Sequence, residues 1–298
     1  GDNFLVIGIG VYTMTLKYTD PNTGVTRTAL EGLKIYLVPN FEGVTASKLI
    51  TIVLDAAGQL FYSMSIAMGI MITYGSYCKK DANLVKSVNS IEIFDSGVAL
   101  LAGLIVIPSV VVFQGAENLG NGGPGLMFIS LPTVFEQMGF IGHIVGALFF
   151  VLVLFAALTS SISLMETIAA SFIDKFKWSR PKASVITFVI SVVLGVVTCL
   201  GYNVFYFDLK LPNGSVGQIL DIFDYVSNNL LLPIVAFLTC ILIGWLTKPD
   251  TIVEEVKIGF GEKKFVREGL YRVMIRFVAP VILIIILLQS FNVFSFLG

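Results

Sequence analysis

The stretch Gly58-Gln-Leu-Phe-Tyr-Ser-Met-Ser-Ile-Ala-Met-Gly69 sits inside a long apolar run, yet it carries Gln59, Ser63, Ser65 and a glycine at each end. Small and polar residues lower the cost of leaving helical geometry. An unwound turn frees backbone N–H and C=O groups. At membrane depth that is tolerated only around a protein-lined cavity or a bound ligand. The freed carbonyls and the two serine hydroxyls suit a hard cation or a zwitterion. A packing face of small residues between helices is the other reading, and spacing alone leaves both standing.

A second cluster lies in Leu-Phe-Ala-Ala-Leu-Thr-Ser-Ser-Ile-Ser-Leu-Met-Glu-Thr, residues 154–167. Thr159, Ser160 and Ser161 form a consecutive hydroxyl run beside Ala156 and Ala157. A helix can bond such hydroxyls back to its own carbonyls at little cost. Three in a row next to small residues also suit sodium, which needs several oxygens. Asp95 opens a further run, either in the interfacial layer or supplying negative charge near a cation. Asp221 and Asp224, three apart, share one helix face. They read as a solvated helix start or as a gate acid that pairs with a basic residue across a vestibule.

These groups must be positioned by membrane spans. The chain has 298 residues, of which 56% are hydrophobic and 13% charged. Soluble domains carry about 25% charged residues, so the composition is that of a multi-span membrane protein. A net charge of −1 gives no electrostatic footprint for nucleic acid. One histidine, His143, argues against a histidine-based metal or hydrolase site. Cys78, Cys199 and Cys240 are far apart and read as small apolar residues. The loop Gly-Asn-Gly-Gly-Pro-Gly, 120–125, lacks the strand and the Lys-Ser/Thr of a phosphate loop. Nothing resembles a nucleophile with its base, and an enzyme is not expected.

Apolar runs fall at 4–16 (partial), 49–77, 92–114, 141–171, 184–202, 219–247 and 270–295. The polar loops 17–47 and 115–140 are long; the second holds Leu131–Met138, whose pattern predicts a short helix over the membrane surface. The loops after runs 49–77, 141–171 and 219–247 hold 14 of the 19 Lys and Arg residues, Lys263 and Lys264 among them. Lys86 and Lys175 enclose a segment without any. Those three loops are therefore expected in the cytoplasm, and 17–47, 115–140 and the C-terminus outside.

Across almost the whole chain the sequence resembles the neurotransmitter:sodium symporter family, in particular its bacterial amino-acid transporters. The signatures are EGLKIYLVPNF (31–41), GQLFYSMSIAMGIMITYGSY (58–77), LPTVFEQ (131–137), LFAALTSSISLMET (154–167) and LDIFDYVSNN (220–229), in the family's order. The resemblance implies an all-α integral membrane fold of the LeuT type, built from inverted repeats. It implies the end of a transmembrane helix at 1–16, an extracellular loop at 17–47 and a second repeat of five helices at 48–247. A cytoplasmic loop at 248–269 and a last helix at 270–298 follow. On this resemblance the chain starts within the family's fifth helix, and the N-terminal helices would be partners supplied by the rest of the protein.

The family's roles carry over residue by residue. Ser63 and Asp95 resemble ligands of a first sodium site, and an acid at Asp95 would make chloride unnecessary. Ala156 (by its carbonyl), Thr159 and Ser160 resemble a second sodium site. Tyr62, Ser63, Ser65, Ala67, Met68, Ser160 and Leu164 would surround a small neutral amino acid. Gln59, Tyr62 and Asp224 resemble the outer gate, and Tyr77 and Asp174 the inner gate. Many relatives have glycine where Ala67 stands, so its methyl is expected to narrow the pocket floor and favour a modest-sized substrate.

The expected function is sodium-coupled symport of a neutral amino acid across the plasma membrane, a bacterial inner membrane, by alternating access. A proton-coupled or exchange-type transporter of the same fold would place a Lys at the second sodium site, and the span 141–171 has none. A non-transporting sensor or scaffold would not need two hydroxyl-rich broken spans. The sequence leaves the oligomeric state open.

Overall fold

The computed structural model describes residues 2–120, 123–260 and 265–297. Asn121 and Gly122 of the glycine-rich loop, and Lys263 and Lys264 of the basic loop, lie outside them. Among the described residues five helices are long and apolar enough to cross a membrane: Leu84–Gln114, Phe140–Phe176, Arg180–Leu200, Ile219–Leu246 and Glu268–Gln289. Hydrocarbon offers no partner for a backbone N–H or C=O, so a spanning segment must satisfy them internally. Among the described residues strands are confined to two short antiparallel hairpins.

The helices do not keep to the apolar runs that announce them: some overrun, while the last, Glu268–Gln289, stops short of the end of its run at 295. The run expected at 92–114 begins as a helix at Leu84, two turns earlier, through Lys86, Asn89 and Glu92. Hydropathy registers only the hydrocarbon depth, whereas helical hydrogen bonding continues into the polar interface. The run 49–77 departs in the other direction. It is two helices, Ala46–Ser63 and Ile70–Tyr77. Thr45 caps the first, its hydroxyl accepting the Lys48 N–H at 3.2 Å.

The chain divides into two compact units. The first comprises Gly1–Glu42 and Ile93–Ser160, the second Gly43–Glu92 and Ser161–Gly298. In the first, the polar stretch after helix Asp2–Met14 holds a hairpin, Lys17–Thr19 against Thr26–Thr28, with Tyr18 opposite Arg27. Helix Ala29–Leu37 follows. Its Gly32 lies so close to Pro108 that a Cβ would stand 2.5 Å from the proline Cα, so only glycine fits. The core gathers Leu16, Ala29, Val110, Val112, Leu131 and Val134 with Phe113 and Phe135. Helix Leu131–Gln137, started by Pro132, buries Leu131, Val134 and Phe135. Phe135 meets the rings of Phe149 and Phe150 at 5.7 and 6.3 Å.

The second unit has a smaller buried cluster, Ala236, Cys240 and Leu283, with Phe61, Ala67 and Phe237 against it. Val185, Val189, Val193 and Val196 of helix Arg180–Leu200 all stand more than half exposed. Four π-helical turns interrupt the described helices: Leu126–Ser130, Tyr225–Leu231, Leu242–Leu246 and Met274–Val278. Three of them end two residues before a proline that continues the same helix (Pro132, Pro233, Pro280), and the fourth, Leu242–Leu246, closes its helix. A proline ring clashes with the carbonyl four residues back and offers it no N–H. A widened turn relieves the clash. The carbonyl that Pro280 cannot bond, that of Arg276, accepts the Trp245 indole N–H at 3.2 Å, and the Arg276 Nε donates to the Gly244 carbonyl at 2.9 Å.

Candidate functional site

The break in the first apolar run spans Met64–Met68, with Gly69 capping the second helix. Three alternate residues have left-handed backbone: Ser65 (φ 55°), Ala67 (φ 63°) and Gly69 (φ 81°). Side chains disfavour that region by roughly 1–2 kcal/mol per residue, so the conformation at Ser65 and Ala67 is imposed by the surroundings. The last bonds of the first helix are Met64 N–H to the Leu60 carbonyl and Ile66 N–H to the Phe61 carbonyl, both 3.0 Å. Ala67 packs against the Ala236–Cys240–Leu283 cluster.

Helix Ile70–Tyr77 is tied to the hydroxyl-rich helix along one face. Tyr74 and Tyr77, three apart, meet Ser163 and Glu166, also three apart. The Tyr74 hydroxyl donates to Ser163 Oγ at 2.8 Å and the Tyr77 hydroxyl to Glu166 Oε1 at 2.6 Å. A Cβ on Gly69 would reach Thr167 Cγ2 at 3.1 Å. Arg180 closes the group, its Nη2 donating to Glu166 Oε2 at 2.7 Å. Glu166 thus accepts from both Tyr77 and Arg180. Of the two residues expected at the inner gate, Tyr77 meets Glu166, and Asp174 lies exposed, outside this group. Sequence reasoning missed Glu166 and counted Arg180 only as a loop charge. The signal was present, since Glu166 is the one carboxylate between residues 141 and 171.

The hydroxyl run sits on an uninterrupted helix, Phe140–Phe176. This corrects the expectation of two broken spans. Its hydroxyls bond back to their own helix: Thr159 to the Ala156 carbonyl at 2.9 Å, Thr167 to the Ser163 carbonyl at 2.9 Å, and Ser171 to the Thr167 carbonyl at 2.9 Å. Such bonds satisfy the hydroxyls within their own helix, with at most a slight bend of the backbone. The Ala156 carbonyl and the Thr159 hydroxyl, both expected on one cation, are here bonded to each other. Asp95, Ala156, Thr159 and Ser160 belong to the first unit, and Ser63, Ser65, Met68 and Leu164 to the second.

Within the second unit a cavity of 460 Å³ brings Gln59, Tyr62 and Asp224 together. Asp55, Asn228 and Gln289 also line it, and no lysine or arginine does. Asp224 Oδ1 accepts from Asn228 Nδ2 at 2.5 Å. Asp221 has a different task. Its carboxylate accepts the Gln218 backbone N–H at 2.9 Å and so caps its own helix. The two acids, alike by spacing, divide into a cap and a cavity wall. A cavity with carboxylates, amides and a phenol suits an ammonium or metal cation rather than an anion. Among the described residues no three His, Cys, Asp or Glu side chains cluster as transition-metal ligands. The available donors are hydroxyl, carbonyl and carboxylate oxygens, which fit a hard cation.

A model of the sodium:neurotransmitter symporter family matches residues 23–297. The sodium-dependent transporter YhdH of Bacillus subtilis (strain 168) is 34% identical over 273 residues, which is 90% of this chain and 56% of that protein. A sodium-dependent transporter of Haemophilus influenzae is 32% identical over 263 residues, 88% of this chain and 54% of its own length. The sodium- and chloride-dependent creatine transporter 1 of Homo sapiens is 27% identical over 246 residues, 78% of this chain and 36% of that one. The crystal structure of MhsT in complex with L-phenylalanine superposes with a TM-score of 0.80 at 31% identity, covering 97% of this chain and 60% of that chain. The chain spans about half the length of the curated relatives it matches. Its fold is the LeuT-type helical membrane fold that MhsT shares. With these motifs in this order on that fold, the chain belongs to the sodium:neurotransmitter symporter family.

Proposed function

We propose that this chain is the part of a sodium-coupled symporter that carries one broken helix and the hydroxyl helix facing it in function. The observation that carries this reading is the break at Met64–Met68, held with Ser65 and Ala67 in left-handed backbone. Strain of that kind persists where a site needs it. The substrate proposed is a neutral amino acid, with sodium as co-transported cargo at two sites. Ser63 and Asp95 would serve one; the Ala156 carbonyl, Thr159 and Ser160 would serve the other. For the second site to fill, the Thr159 hydroxyl would turn its proton away from the Ala156 carbonyl, so that a lone pair of each oxygen faces sodium. Tyr62 would close over the substrate, with Gln59 and Asp224 beside it. Sodium and substrate gain contacts in one state that they lack in the other, which is what shifts the population between states.

Two comparisons support the substrate class: MhsT is described with L-phenylalanine, and creatine, named for the human relative, is likewise a zwitterion. Ala67, where glycine would leave space, favours a modest-sized side chain. The test is uptake by the full-length protein in proteoliposomes under an inward sodium gradient. Labelled Ala, Val, Leu, Met, Phe and Trp are supplied in competition. Uptake that requires sodium and is lost in Thr159→Ala/Ser160→Ala is expected. Uptake indifferent to sodium overturns the coupling, and a panel won by Trp overturns the size assignment.

A further inference from the structure

Away from the break, the second unit contains an apolar groove of 320 Å³. It lies between the first turns of helix Leu84–Gln114, helix Asp250–Phe260 and the first turns of helix Glu268–Gln289. Val88, Ile252, Leu270 and Met274 line it, all at least one-third exposed, with Val256 buried at its base. Among the described residues Arg267 is the single charged residue in its lining, and no carboxylate lines it.

The cations around the groove are not equivalent. Arg272 is spent on two carboxylates, Asp250 at 2.6 Å and Glu268 at 2.8 Å, and Lys257 on Glu268 at 3.1 Å. The Arg272 guanidinium holds the Asp250 carboxyl below its usual range. Those pairs fasten helix Asp250–Phe260 to the start of the last membrane helix. Arg267 is more than half exposed, and its contacts to Asn89 at 3.2 Å and Glu92 at 3.6 Å both use Nη1. Nη2 and Nε stand outside those two contacts.

We propose that this groove holds one acyl chain of an anionic phospholipid, with the phosphate against Arg267. Two of its three walls are ends of membrane-crossing helices, on the side that the basic loops assign to the cytoplasm. Basic groups between helix ends on that side recognise anionic headgroups. A peptide occupant would bring backbone N–H and C=O groups, and the walls offer little beyond Asn89 and Arg267 to satisfy them. An acyl chain brings none, and its phosphate needs one cation at the mouth, which is what the groove supplies.

The test uses the full-length protein, delipidated in detergent and titrated with phosphatidylglycerol, with retained lipid counted by native mass spectrometry. One tightly held phosphatidylglycerol is expected. Leu270→Trp and Val88→Trp, which fill the groove from opposite walls, should each abolish it. Arg267→Ala should weaken it about fivefold and Arg267→Lys much less. Retention unchanged in both tryptophan variants overturns the site, and retention unchanged in Arg267→Ala overturns the headgroup contact. A photo-crosslinker at Leu270 that captures another segment of the same polypeptide, rather than lipid, also overturns the proposal.

Discussion

Glu166 holds two donors at once, the Tyr77 hydroxyl and the Arg180 guanidinium. Both donors are exposed, so solvent screens the pair and each contact biases the equilibrium only modestly. Glu166→Gln keeps the shape and removes the charge. Uptake by the full-length protein is expected to fall severalfold, while sodium-dependent substrate binding changes little. Equal uptake in wild type and variant would show that the group is not part of the transport cycle. Asp95 bears on charge balance. If it neutralises a nearby sodium, Asp95→Asn leaves that cation short of one negative charge, and an anion from solution can restore it. Wild-type uptake should be indifferent to replacing chloride by gluconate, and the variant's should depend on chloride. Tyr77 was legible from the sequence because its signature is local. Its partner was not, because Glu166 reaches it across 89 residues of chain.

At the scale of elements, the break was legible and its mate was misread. Ser65, Ala67 and Gly69 announce a turn because polar and small residues tolerate unwinding. Thr159–Ser161 carry a similar composition, yet their helix continues, since a hydroxyl can return its hydrogen bond to the same helix. Composition does not separate these outcomes; left-handed backbone does. Gly69→Ala tests the difference. The new Cβ would sit at φ 81° and 3.1 Å from Thr167 Cγ2, at a cost of roughly 1–2 kcal/mol for the backbone alone. The melting temperature in detergent should drop by several degrees. Gly75→Ala, in the same short helix with nothing within 4 Å of its new methyl, should be neutral or slightly stabilising. Three of the π turns were legible in retrospect from Pro132, Pro233 and Pro280. Pro108, buried against Gly32, stays within a long α-helix, so a proline marks where a widened turn can form and its packing decides whether it does.

At the scale of the molecule, the spans were legible because lipid demands long apolar helices, and their ends were not, because helical bonding does not follow hydropathy: Leu84–Gln114 begins in polar residues before its run and Glu268–Gln289 ends inside its own. Orientation is the largest claim that rests on charge alone. Fourteen of the 19 basic residues fall in three alternate loops, and a biased distribution of that kind fixes which side stays in the cytoplasm. Cys78 is exposed at the end of helix Ile70–Tyr77, directly before Lys79 and Lys80. It should be cytoplasmic. Val25, exposed at the far end of the first hairpin's turn, should lie outside. In single-cysteine forms of the full-length protein, a membrane-impermeant maleimide added to intact cells should label Val25→Cys and spare Cys78. Inverted vesicles should give the opposite pattern. Labelling of Cys78 from outside would invert every assignment of inner and outer gate at once, and with them the leaflet that faces the groove at Arg267.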